Sequence, residues 1–136
     1  MLFRSKKFKH IDRTTDPIMA IAEDEQGNIW YGSGGLNRLK PESGDHKTYS
    51  LKTTEDESSQ AGIRALIIDN GLIWAATDAD GIFVFDISTE QFRRITNSNP
   101  AIMQVYALYA DHGKIFAATN GGLRSEERRV GKECRL

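Results

Sequence analysis

The sequence predicts an all-β chain built from a repeated four-stranded unit, and three observations carry that prediction. The chain matches itself at a near-constant period: Ile18-Met19-Ala20-Ile21-Ala22-Glu23-Asp24, Ile63-Arg64-Ala65-Leu66-Ile67-Ile68-Asp69 and Val105-Tyr106-Ala107-Leu108-Tyr109-Ala110-Asp111 align. The alanines Ala20, Ala65 and Ala107 stand 45 and then 42 residues apart. Each aligned aspartate (Asp24, Asp69, Asp111) is followed by a turn at Gly27, Gly71 or Gly113, then by a second apolar run centred on Trp30, Trp74 or Phe116. Lastly, no stretch keeps an i, i+3, i+4, i+7 apolar pattern long enough to argue for a helix. A period of about 40–45 residues with four short strands per unit is a propeller signature. The fold class is therefore an open fragment of a β-propeller, with about two and a half four-stranded antiparallel blades.

Taken in order, residues 1–16 carry Phe8-Lys9-His10-Ile11 and read as the end of a preceding blade. Residues 17–51 form the first whole blade, with a glycine turn at Gly34-Gly35, a further turn at Pro41-Glu42-Ser43-Gly44 and a fourth strand at His46-Lys47-Thr48-Tyr49. The polar, acidic segment 53–60 reads as a surface loop. Residues 62–96 form the second whole blade. Its Asp69-Asn70-Gly71 is a strong hairpin signal, because Asn and Gly accept the positive φ such turns require. Residues 104–123 supply the first strands of a further blade, with a third strand expected to begin near Leu123. First strands are apolar on both faces, as expected beside a central axis. Trp30, Trp74 and Phe116 are expected to fill the space between blades. Lys47, Arg93 and Arg94 on fourth strands suit an outer edge that faces water.

Bulk composition excludes several classes. Charged residues make up 27% of the chain and hydrophobic ones 39%, which fits a globular chain rather than a disordered one. The formal net charge of -1 points away from nucleic acid and from anionic membranes. No apolar run approaches the roughly 20 residues of a membrane span, so this segment is expected to make no membrane contact. Cys134 is the single cysteine and allows no internal disulfide.

The string Glu23-Asp24-Glu25-Gln26-Gly27-Asn28-Ile29-Trp30-Tyr31-Gly32-Ser33-Gly34-Gly35-Leu36-Asn37-Arg38-Leu39 resembles the two-component regulator propeller repeat, whose pattern runs E-D-x-x-G-x-I-W-I-G-T-x-x-G-L-x-R. The second unit keeps Asp69, Gly71, Ile73-Trp74, Thr77 and Gly81. The third keeps Asp111, Gly113, Thr119 and Gly121-Gly122-Leu123, with Phe116 in place of Trp. The resemblance implies the periplasmic or extracytoplasmic sensor region of a hybrid histidine kinase. It implies a small-molecule or oligosaccharide ligand such as a glycan breakdown product, and a parent protein that forms a homodimer. Related propellers also occur as secreted lyases and as interaction scaffolds, which are the alternative readings.

Residues 124–136 carry a second, unrelated resemblance. Arg124-Ser125-Glu126-Glu127-Arg128-Arg129-Val130-Gly131-Lys132-Glu133-Cys134-Arg135 is similar to an in-frame translation of a short-read sequencing adapter, departing at Leu136. The segment is expected to be a non-native, unstructured tail. Without it the chain holds 13 basic and 16 acidic residues, a formal charge of -3, and no cysteine. A basic C-terminus is then no argument for nucleic acid.

Candidate chemistry is sparse. Gly32-Ser33-Gly34-Gly35 lacks G-x-G-x-x-G spacing and no helix follows, so it reads as a turn rather than a phosphate cradle. Asp78-Ala79-Asp80-Gly81 is a fragment of a calcium loop with no third acidic ligand or closing Glu at the right spacing. Asp24, Asp69 and Asp111 recur at one repeat position, which favours a hairpin role over acid–base work. His10, His46 and His112 fall at different blade positions and match no metal spacing. Lys6, Lys7, Lys9 and Arg13 read as a solvated face. No catalytic site, metal site or cofactor is expected. Ligand-facing candidates are the polar loop residues Asp78, Asp80, Asn97, Asn99 and Asn120.

Overall fold

A computed structural model describes residues 17–52, 61–95 and 104–127 of the chain. The expected end of a preceding blade (residues 1–16), the acidic loop 53–60, and Asn97 and Asn99 lie outside the described residues. The described residues form three antiparallel sheets. The first holds β1 (Ile21–Glu23), β2 (Ile29–Gly32), β3 (Leu36–Lys40) and β4 (Asp45–Tyr49) in sequential order. The second holds β5 (Ile63–Asp69), β6 (Leu72–Thr77), β7 (Ile82–Asp86) and β8 (Gln91–Ile95). The third holds β9 (Val105–Asp111), β10 (Lys114–Thr119) and β11 (Gly122–Glu127). Each is a meander of adjacent hairpins, which is the build of a propeller blade.

Turn chemistry explains the hairpins. Between β5 and β6, Asn70 (φ 52°) and Gly71 (φ 75°) both occupy the left-handed region, and His112 (φ 44°) with Gly113 (φ 81°) repeat this between β9 and β10. Two consecutive positive φ values match the right-handed twist of the flanking strands. Between β7 and β8 the left-handed position is Glu90 (φ 58°), closed by its N–H donating to Asp86 O at 2.7 Å. The Asp86 carboxylate also accepts from the Ser88 hydroxyl and N–H, which holds its pKa below the ordinary value despite some burial.

The core lies between sheets, not within them. β6 and β7 alternate at period two: Ile73, Ala75, Phe83 and Phe85 pack toward the first sheet, while Trp74, Ala76, Ile82 and Val84 pack toward the third. Both faces of the second sheet are covered, so these strands read as continuous apolar runs. In the first cluster, Trp30 of β2 meets Tyr49 at 6.0 Å and Phe85 at 5.6 Å between ring centroids. In the second, Trp74 of β6 joins Val105, Ile115 and Ala117 of the third sheet. Each tryptophan therefore projects from its own sheet onto the next, and burying one side chain of this size contributes about 3 kcal/mol.

Two expectations are corrected. The first strands of the outer sheets are not covered on both faces: Ile21 of β1 is 70% exposed and Tyr109 of β9 is 65% exposed. Only β5, flanked by a sheet on either side, approaches that pattern. The third strand of the last sheet also continues to Glu127, so residues 124–127 are not unstructured. Its ladder to β10 runs from Gly122↔Thr119 to Glu127↔Lys114. A ladder uses backbone groups and accepts nearly any side chain on an outer strand. Residues 128–136 lie outside the described residues.

Candidate functional site

Asp24 accepts four hydrogen bonds within its own hairpin. Its Oδ1 accepts from the N–H groups of Gln26 and Asn28, both at 2.9 Å. Its Oδ2 accepts from Asn28 Nδ2 at 3.1 Å and from the buried Trp30 indole at 2.9 Å. Burial pushes its pKa up, but these four donors outweigh burial and hold it below the ordinary value. Asp69 and Asp111 do not repeat the arrangement. Their turns are one residue shorter, they end strands β5 and β9, and their carboxylates meet turn residues instead, Asp69 accepting from Asn70 Nδ2 at 3.4 Å and Asp111 meeting His112 Nδ1 at 2.7 Å. The Trp74 indole N–H is accordingly buried without a partner. Asp24 is a structural centre, and the chemistry must lie elsewhere.

The starts of the first strands and the β2–β3 and β6–β7 loops gather at one end of the sheets. There, a cleft of about 730 Å³ opens between the first and second sheets. Its lining includes Met19, the loop Gly32-Ser33-Gly34-Gly35, Lys52, Arg64 and Asp78. The glycines shape it. A Cβ on Gly32 would stand 2.6 Å from Ile63 Cβ, so the two sheets approach too closely there for any side chain. Gly35 (φ 122°) has the Tyr49 carbonyl oxygen 2.4 Å from its missing Cβ. The loop is a tight turn, as its spacing implies.

Side chains close the corresponding loop in the other two sheets. Asp78 exchanges hydrogen bonds with Gly62, its N–H donating to Gly62 O at 3.0 Å and its Oδ1 accepting from Gly62 N–H at 3.1 Å. Asn120 pairs with Gln104 in the same way, at 3.1 and 3.4 Å. Thr77 and Thr119 staple these loops through their hydroxyls, to Gly81 O and Gly122 O, both at 2.7 Å. In the first sheet the residue two places beyond β2 is Gly34, with nothing within 4 Å of its Cβ position. Among the described residues the first loop has no such latch, and the cleft lies beside it.

Of the ligand-facing candidates, Asp78 lines the cleft. Asp80 does not: it pairs with Arg94 at 3.6 Å, while its carbonyl accepts from Arg94 Nε at 3.1 Å. Asn120 belongs to the third sheet's latch. No group of His, Cys, Asp and Glu among the described residues could hold a metal ion. His46 meets the Tyr31 hydroxyl at 3.0 Å, and His112 stands exposed beside Asp111. His10, Lys6, Lys7, Lys9 and Arg13 lie outside the described residues.

Arg64, Lys52 and Met19 were not singled out from sequence. The signal for Arg64 is geometric: the β5–β6 register shifts between Ile63 and Ala65, leaving Arg64 as the extra residue of a bulge.

Residues 13–35 match the family model described as the two component regulator propeller. Among curated proteins, none matches the chain in sequence. Among solved structures, it is similar to the extracellular domain of a hybrid two component system from B. thetaiotaomicron, at 20% identity and a TM-score of 0.71, covering 98% of this chain and 19% of that one. It is also similar to an extracellular domain from the same organism described as that of a one component system. That match has 24% identity and a TM-score of 0.63, covering 87% of this chain and 17% of the other. A third likeness is to PorZ, a surface component of the type-IX secretion system of Porphyromonas gingivalis, at 13% identity and a TM-score of 0.51, covering 97% and 28%. The chain spans about a fifth of the length of the first two structures. At these identities the likenesses establish the propeller fold.

Proposed function

We propose that this chain is a segment of the extracytoplasmic, ligand-sensing propeller of a two-component sensor. The carrying observation is the regulator propeller repeat at residues 13–35, supported by the likeness to extracellular domains described as parts of such systems. In this reading the segment performs no chemistry. It offers a rigid stack of sheets whose loops form a cleft, as binding sites on rigid scaffolds commonly do. The ligand is a small molecule or an oligosaccharide, such as a product of glycan breakdown, and the kinase activity belongs to another part of the parent protein, which acts as a homodimer.

Recovery of the parent locus across both ends of this segment, with adapters trimmed, tests the reading. Further repeats, a membrane span and a histidine kinase module are the expected result. A signal peptide and a closed propeller with no kinase would overturn it in favour of a secreted enzyme or scaffold.

A further inference from the structure

The first strands break their ladders at equivalent places in two successive sheets. β5 skips Arg64 between Ile63↔Thr77 and Ala65↔Ala76, and β9 skips Tyr106 between Val105↔Thr119 and Ala107↔Ala118. A bulge re-aims the side chain of its extra residue, and bulges recur beside binding sites. Here the two re-aimed side chains meet. The Arg64 guanidinium carbon sits 5.6 Å from the centre of the Tyr106 ring. The Tyr106 hydroxyl donates to Gln104 Oε1 at 2.9 Å, which restrains the ring from its far end.

Arg64 is exposed, and among the described residues no salt bridge joins it to a carboxylate. A guanidinium stacked on an aromatic face keeps its N–H edge available, in the fork geometry that matches a carboxylate or sulfate. Arg64 is one of the residues that line the cleft, where Lys52 adds a second positive charge. The one lining carboxylate, Asp78, already accepts from Gly62 N–H. The rest of the lining mixes backbone-rich and hydroxyl groups at Ser33, Gly34 and Gly35 with apolar surface at Met19. Such a mixture suits a sugar ring, which has hydroxyl edges and C–H faces. A volume of about 730 Å³ lies within the range of small-molecule sites, roughly 300–1,000 Å³.

We infer that the cleft between the first two sheets binds an acidic saccharide, with its carboxylate or sulfate on Arg64 and with Tyr106 as the positioning residue behind Arg64. This inference rests on the ligand-sensing reading above and narrows its ligand class.

Calorimetric titration of the 136-residue chain with digalacturonate, galactose 6-sulfate and neutral galactobiose tests it. At least one acidic probe is expected to bind about tenfold or more tightly than the neutral one, the scale of a charge-assisted pair. Arg64→Met should abolish that preference and leave the near-ultraviolet dichroism of the folded chain unchanged. Tyr106→Leu should weaken the acidic probe alone, and Tyr106→Phe should restore it. Which acidic probe binds tells carboxylate from sulfate. Equal binding of acidic and neutral probes, or a preference that survives Arg64→Met, would overturn the acidic class while leaving ligand sensing in place. Failure of every probe to bind the folded chain would overturn the site itself. A parent without a kinase would sink the sensor reading and leave the binding data standing.

Discussion

Replacing Asp24 by alanine removes the acceptor for two backbone N–H groups, one side-chain amide and the Trp30 indole. The indole N–H is buried, and orphaning a buried donor costs about 1–3 kcal/mol. The half-buried turn N–H groups resemble those satisfied by a helix cap, whose loss costs about 1 kcal/mol. We therefore expect Asp24→Ala to destabilise the chain by about 2–4 kcal/mol, measured by urea unfolding followed by circular dichroism. Asp69→Ala is the internal control. Asp69 is half-buried and accepts from Asn70 Nδ2 at 3.4 Å, but the Trp74 indole lacks a partner, so the loss should be smaller than at Asp24, about 1 kcal/mol or less. A double-mutant cycle with Trp30→Phe should return a coupling of about 1 kcal/mol or more. Equal losses at positions 24 and 69, or a cycle that closes to zero, would show that Asp24 acts through turn propensity alone. The reasoning has a pH arm as well. Because the folded pKa of Asp24 lies below the ordinary value of 3.8, its contribution is complete above that value and is lost as pH falls through the folded one. The acid limb of a stability–pH curve should therefore be shallower in Asp24→Ala.

Three further outcomes are expected. Gly32→Ala places a methyl 2.6 Å from Ile63 Cβ and should cost about 1–3 kcal/mol by forcing the first two sheets apart, read from the same urea curves. Tyr49 is pushed up to about 12, first by burial and then by donating to Glu90 Oε2 across the sheets at 2.6 Å. Absorbance titration should therefore show a phenol ionising near that pH, absent in Tyr49→Phe. Its contribution to stability is full below the unfolded pKa of about 10 and declines as pH rises through the folded value. Leu123 is 73% exposed on the same face as Tyr109, so the chain should self-associate with rising concentration and Leu123→Lys should reduce this in analytical ultracentrifugation.

Much of the fold is legible because the repeat writes each turn and each core position more than once. Asn70-Gly71 and Trp74 would be ambiguous alone, but beside His112-Gly113 and Phe116 they set a frame. Asp24 shows where repetition misleads. It aligns with Asp69 and Asp111, yet one added residue before Trp30 turns its carboxylate inward, and only the unequal spacing hints at this. The cleft was partly legible. Asp78 could be nominated as a polar loop residue, whereas Arg64 looked like an ordinary strand position. A bulge without glycine leaves no mark in the hydrophobic pattern. The Asp78–Gly62 latch spans 16 residues and depends on how two strand ends meet, which no local rule specifies. The strand through residues 124–127 was missed because a ladder is indifferent to where its side chains originate.

Because both apolar clusters lie between sheets, the unit that a gene can duplicate differs from the unit that is stable. One 42–45-residue repeat encodes a sheet with a projecting aromatic face and a receiving face, but no finished core. Duplicating a whole repeat adds one complete core and restores the same pair of faces at its ends. Recombination in register can therefore lengthen or shorten such an array without any compensating substitution. An exchange at mid-repeat, in contrast, would strand a Trp30-type face against a partner that cannot receive it. Blade number in this architecture is an easily altered trait, and the residue-by-residue match between successive faces is the conservative one.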